Sequence, residues 1–225
     1  MKKIILPLLI LISMPLVWSC AGLGKGYMLT EGDAAAAIRQ MLGLGARQSV
    51  SGSFSKEAIM TTLFPEPVRK ALNTVQQLGL TPEVDRFTNT LGTAAEKTAT
   101  ASMPVFMNAI DNLKFTDAIR LIKAGGTSGT DYLRSAAGDS LRRAIRPIML
   151  AAIDEYKLND EWNKITKPVS SLTGNRLNLD LPTIMAGMVS ETMFRKMEEK
   201  EREVRSQASA RSTVLLQKVF SRNWN

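Results

Sequence analysis

The stretch KAGGTSGTDYLRSAAGDSLRRAIR, residues 123–146, concentrates side chains that could bind an anion. Lys123 precedes a glycine-rich turn, and Asp131, Arg134, Asp139, Arg142, Arg143 and Arg146 follow it. Guanidinium groups form two-pronged contacts with phosphate or carboxylate, and turn amides at a helix start add N–H donors. The alternative is a set of ion pairs within the helix, Asp131 with Arg134 and Asp139 with Arg142 or Arg143, each individually weak.

Few other reactive groups are present. The chain has no histidine and one cysteine. Serine–histidine and cysteine–histidine nucleophiles, structural zinc sites and zinc hydroxide therefore lack their residues. No calcium loop and no phosphate loop of the G-x-x-x-x-G-K type occurs, and no metal or cofactor is expected. Glu96, Asp111 and Asp117, each within or beside an apolar helical stretch, are the carboxylates to consider for a carboxylate-dependent hydrolase, which would need an acid and a base with separated pKa values. The leading expectation is a protein that binds and does not catalyse.

The lone cysteine, Cys20, ends the N-terminal run IILPLLILISMPLVWSC. Lys2 and Lys3 give the segment a positive start, and Pro7 and Pro15 interrupt the apolar residues. That length suits a secretory signal; a spanning helix takes roughly 20 apolar residues. Val17-Trp18-Ser19-Cys20 resembles the bacterial lipobox, in which cleavage leaves a diacylated cysteine as the first residue. Lipidation also consumes a thiol that would otherwise be a stray partner in an oxidising compartment. Two or three acyl chains anchor stably where one does not. Ala21 follows with no acid beside it, which by resemblance to lipoprotein sorting rules favours the outer membrane, facing the periplasm.

The organisation expected is a signal peptide over 1–19, a lipidated cysteine and tether over 20–29, and a helical domain over 30–221. Removal of residues 1–19 takes Lys2 and Lys3 from the 29 basic residues and leaves 27 against 21 acidic, a net charge of +6. These charges are spread along the chain, so no nucleic-acid partner is expected. The partners expected are the membrane through its anchor, and an anionic ligand, a lipid or another envelope protein.

Helix punctuation is frequent. Thr30 caps a helix that frays at Gly43 and Gly45, Ser55 opens a short one to Phe64, and Pro65 and Pro67 start another with Val68, Leu72, Val75 and Leu78 inward. Thr81-Pro82 begins a helix with Val84, Phe87, Leu91 and Ala95 inward. Pro104 and Thr116 are expected to open two more short helices. From Asp131 to about Tyr156 the row Leu133, Ala137, Leu141, Ala144, Ile148, Ala152 and Tyr156 marks one apolar face, with a kink expected at Pro147. DEWNKITKPVSSLTGNRLNL reads as a connection. Asp180 caps a helix whose inward row is Met185, Val189, Met193, Met197 and Val204, and whose pairs Glu198–Arg202 and Glu201–Arg205 suit an exposed face. A last helix covers about Ala210 to Phe220. The fold class is all-α: a single-domain, multi-helix bundle of roughly nine helices, mostly short with two long ones.

NTLGTAAEKTA, MPVFMNAIDNLKFTDAIRLIKAGGTSGTDYLRSAAGDSLRRAIRPIM and EKEREVRSQASARSTVLLQKVF together, over about residues 31–221, resemble the bacterial envelope family DUF4197. The chain departs from that family's usual pattern at Gly92 and Leu133. The resemblance implies an all-helical exported protein, often lipid-anchored, and no known activity. Met185, Met188, Met193 and Met197 on one helix suit core filling, and alternatively a methionine-lined cavity for an apolar ligand or lipid.

Overall fold

In the computed structural model, which describes residues 27–170 and 180–224, Thr30 accepts the Asp33 N–H at 3.0 Å and starts α1 (Glu31–Ala46). Helix α1 does not fray at its glycines. Gly43 and Gly45 are buried, and a Cβ on Gly45 would stand 2.6 Å from the Met197 Cα, so the glycine lets two helix backbones touch. Ser55 caps α2 (Lys56–Ala58), which widens into a π turn over Ile59–Leu63. That turn buries Ile59 and Phe64 and leaves Leu63 partly exposed.

Helix α3 (Glu66–Gln77) carries Pro67 in its first turn and buries Val68, Leu72 and Val75. Leu78, expected inward, is 54% exposed because the helix has already ended and the chain turns at Gly79, φ 90°. Helix α4 (Thr81–Asn112) buries Val84, Phe87, Leu91 and Ala95 as expected, but it runs on through Pro104, which starts no new helix. Pro104 is exposed, so water can satisfy the Thr100 carbonyl that loses its N–H partner. At Gly92 the Phe54 carbonyl oxygen lies 2.3 Å from where a Cβ would be, which excludes a larger residue there. Asp117, and not Thr116, caps α5 (Ala118–Ala124), accepting the Arg120 N–H at 3.0 Å.

Helix α6 (Ser128–Glu155) begins a turn earlier than expected and continues through the exposed Pro147. Its buried row is Leu133, Gly138, Leu141, Ile145, Met149, Ala152 and Ile153. Ala144 is exposed; α6 is packed between α8 and α4, so the apolar stripe drifts to Ile145 and Met149 and away from the expected row. Lys157, at φ 54°, turns the chain into α7 (Leu158–Ser170), where a connection was expected. Leu158, Trp162 and Ile165 of α7 are buried, with Trp162 5.4 Å from Phe87.

Asp180 caps α8 (Leu181–Ser206), whose expected inward row is buried throughout. A 3₁₀ turn, Ala208–Ala210, leads to α9 (Val214–Phe220). The fold is all-α and single-domain, with nine α-helices and no strand among the described residues. Three helices are long, not two, because α4 absorbs the segment assigned to a separate helix. None of the described helices is long and apolar enough to cross a membrane. The signal segment 1–19, Cys20 and tether residues 21–26 lie outside the described residues. The end of the tether is packed: Leu29 lies against the core, and the Tyr27 ring stands 5.9 Å from Trp224.

Candidate functional site

Helices α6 and α8 pack antiparallel along most of their length: Gly129 meets Glu201, Arg134 meets Glu191 and Glu198, and Arg146 meets Asp180. An open groove of about 650 Å³ runs beside this seam. Leu63 and Pro65 form one wall, and Ile184, Met188 and Phe194 supply apolar surface. Gly138 and Gly187, without side chains, widen it. A smaller recess of about 220 Å³ adjoins it, lined by Asp139, Arg142, Arg143, Arg146, Thr183 and Ala186. Arg142 and Thr183 line both, so an apolar trough passes into an arginine-rich end.

The predicted site residues separate into three groups. Arg142, Arg143, Arg146 and Asp139 come together in the recess. There Arg142 pairs with Asp139, and Arg146 donates to Thr183 Oγ1 at 2.8 Å and to Asp180 at 3.0 Å. Arg143 has only a long contact of 3.4 Å to Ser140 Oγ and no carboxylate partner among the described residues. Each of these arginines is exposed, and their carboxylates are exposed too, so solvent weakens the pairs they form.

Arg134 lines the groove too, but its guanidinium is tied into the seam between α6 and α8. Its guanidinium donates to Asp131 at 3.1 Å, Glu191 at 3.2 Å and Glu198 at 2.6 Å, and lies 4.9 Å above the Phe194 ring. Burial acts to lower its pKa, but the Glu198 hydrogen bond and the charges of Glu191, Glu198 and Asp131 together raise it. Asp131 is held in turn by Thr127 at 2.9 Å. Lys123, exposed in the last turn of α5, lines neither recess.

The turn amides expected to receive an anion already hold one from within the protein. Glu201, fully buried, accepts the Gly129 N–H at 3.0 Å through one oxygen, and the Thr130 N–H at 2.8 Å and hydroxyl at 2.7 Å through the other. A carboxylate at a helix start is stabilised by the unpaired N–H groups and the helix dipole. Arg205 completes the cluster, donating to Glu201 and to the Leu121 and Ile122 carbonyls that end α5. Periodicity placed Glu201–Arg205 on an exposed face. The signal that it is buried was its position on the Met193, Met197, Val204 side of α8.

The carboxylates considered for catalysis are not brought together. Glu96 accepts the Gly52 N–H at 2.8 Å, Asp117 caps α5, and Asp111 is exposed. Among the described residues no three Asp, Glu, Cys or His side chains gather as metal ligands. Met185, Met193 and Met197 fill the core, and Met188 alone of the α8 methionines lines the groove.

The family model described as Protein of unknown function (DUF4197) matches residues 28–221, most of the chain, and the chain belongs to that family. No curated protein and no solved structure matches it.

Proposed function

We propose that this DUF4197 protein is a lipid-anchored module of the bacterial cell envelope, facing the periplasm from the outer membrane, that works by binding an anionic ligand and not by catalysis. The observation that carries the binding reading is the trough between α6 and α8 that opens into the Arg142–Arg143–Arg146 recess. Ligand pockets typically combine apolar lining with a few polar groups that fix orientation, and this groove has both. Arg143, with no carboxylate partner among the described residues, is the cation available to an incoming anion. The anchoring reading rests on the basic, apolar segment before Cys20. Carboxylate-dependent hydrolysis has less support, because Glu96 and Asp117 already accept backbone N–H groups in different parts of the fold.

An apolar ligand or lipid is the second reading, favoured by Met188, Ile184 and Phe194 in the trough. Native mass spectrometry of the full chain, extracted gently from its own envelope, tests both. A bound anion that is lost with Arg142→Ala plus Arg143→Ala supports the first reading. A neutral adduct, indifferent to those changes, supports the second. Bare protein in every preparation would overturn both and leave a protein partner. The anchor is tested separately: Cys20→Ala should move the protein from the membrane fraction to the periplasm, and a variant that stays in the membrane would refute lipidation.

A further inference from the structure

We infer that the α9 face is the surface this protein turns toward the membrane, docking on anionic phospholipid headgroups through Lys218 and Arg222 with Trp224 at the interface. The inference rests on the lipid anchor at Cys20 proposed above. Val214, Lys218 and Arg222 stand four residues apart and are all exposed, Val214 at 66%. From residue 204 to 225 the chain has four basic residues, Arg205, Arg211, Lys218 and Arg222, and no acidic one. Arg205 and Arg211 are turned inward to carbonyl groups, which leaves Lys218 and Arg222 as the outward charges.

The end of the tether meets this face. Arg222 donates to the Tyr27 carbonyl at 3.1 Å, and its guanidinium lies 5.5 Å from the Tyr27 ring and 6.0 Å from the Trp224 ring. The Lys218 ammonium lies 5.9 Å from the Tyr27 ring. Met28, the next residue, is 83% exposed. From Cys20 to Tyr27 the chain can span at most about 25 Å, since an extended residue covers about 3.5 Å. Lipidated Cys20 therefore keeps Tyr27, and the charges clustered on it, within that distance of the acyl chains.

Three features of this cluster suit a bilayer surface. Basic side chains near an anionic leaflet are attracted within about a Debye length, roughly 8 Å at physiological salt. Tryptophan favours the headgroup level, and Trp224, whose indole N–H donates to the Val219 carbonyl at 2.6 Å, keeps part of its ring exposed beside Arg222. Asp33, beside the Tyr27 hydroxyl, is the acid that faces the cluster, one negative charge against Lys218 and Arg222.

The test uses the full lipidated chain in phosphatidylethanolamine–phosphatidylglycerol vesicles. Trp162→Phe leaves Trp224 as the reporter of the mature protein, Trp18 having left with the signal segment. Headgroup-region quenchers should quench Trp224, and Lys218→Glu plus Arg222→Glu should abolish most of that quenching while the protein still floats with the vesicles. A protein that floats but whose Trp224 is unquenched overturns the docking face and leaves the anchor standing. A protein that does not float overturns the anchor and the docking face together. Quenching unchanged by the double charge reversal, or equal in vesicles lacking phosphatidylglycerol, would overturn the role of the two basic residues.

Discussion

Glu201 and Arg205, one turn apart on α8, form a buried ion pair that closes the ends of two other helices: Glu201 receives the first N–H groups of α6, and Arg205 donates to the last carbonyls of α5. The pair holds the glycine-rich turn at Gly125 and Gly126 from both sides. Breaking a buried pair leaves an uncompensated charge, so Glu201→Ala should cost about 3–5 kcal/mol in urea unfolding. Replacing both by apolar residues often restores stability elsewhere, but here it should not. The Gly129 and Thr130 N–H groups and the Ile122 carbonyl would lose their partners, each costing about 1–3 kcal/mol, while the Leu121 carbonyl would keep the Ser128 hydroxyl at 2.6 Å. A Glu201→Met, Arg205→Met protein as stable as the parent would show that the clamp is dispensable.

Three glycines should respond differently to the same methyl group. Gly45→Ala drives a Cβ to 2.6 Å from the Met197 Cα, and Gly92→Ala drives one to 2.3 Å from the Phe54 carbonyl oxygen. Backbone cannot yield as a side-chain tip does, so each should lose about 1–3 kcal/mol. Gly187→Ala meets nothing within 4 Å in the middle of α8. It should gain about 0.5–1 kcal/mol from helix propensity while narrowing the groove. Thermal unfolding of the three single variants checks the order.

The helices were legible where side chains marked their ends. Thr30, Ser55 and Asp180 cap as their types suggest, and the Met185–Val189–Met193–Met197 row is buried as its spacing suggests. Proline misled at position 104, because a proline on the solvent side of a long helix can be tolerated, and sequence alone does not say which side faces water. Helix α7 was hidden in the polar connection, since its buried apolar residues Leu158, Trp162 and Ile165 are set among Asn, Asp, Glu and Lys. At the site, the clustering of Arg142, Arg143 and Arg146 followed from helical spacing. The groove did not, because Leu63 and Pro65 reach it from another part of the chain.

Acid should act on the cap of α8. Hydrogen bonds from Thr183, and then the Arg146 contact, outweigh desolvation and hold the Asp180 carboxyl below its ordinary value of 3.8. A pKa depressed in the folded state contributes stability that is present above the unfolded value and is lost as pH falls through the folded one. Asp180→Asn keeps a good capping side chain. Its melting temperature should therefore fall less than the parent's between pH 5 and about pH 2, with a small difference at neutral pH. Parallel melts at the two pH values read the effect, and equal acid losses in both proteins would remove Asp180 from the account.

The last prediction separates the arginines that hold the fold from those offered to a ligand. Arg134 joins α6 to α8 through Glu191 and Glu198 and covers Phe194, with only 31% of its side chain exposed. Arg134→Ala leaves Glu198, itself 18% exposed, with only Arg202 nearby, and should cost about 1–3 kcal/mol. The side-chain hydrogen bonds of Arg142 and Arg143 go to residues of their own helix turn and both are exposed, so their replacement by alanine should change stability by less than about 0.5 kcal/mol. Losing one charged contact to an anion should nonetheless weaken binding by about tenfold or more. Circular dichroism melts paired with titration of the anion found on the native protein distinguish the two roles: Arg134→Ala should lower the melting temperature, and Arg142→Ala and Arg143→Ala should lower affinity alone. If the last two melt early, those arginines are structural and the recess is not where the ligand binds.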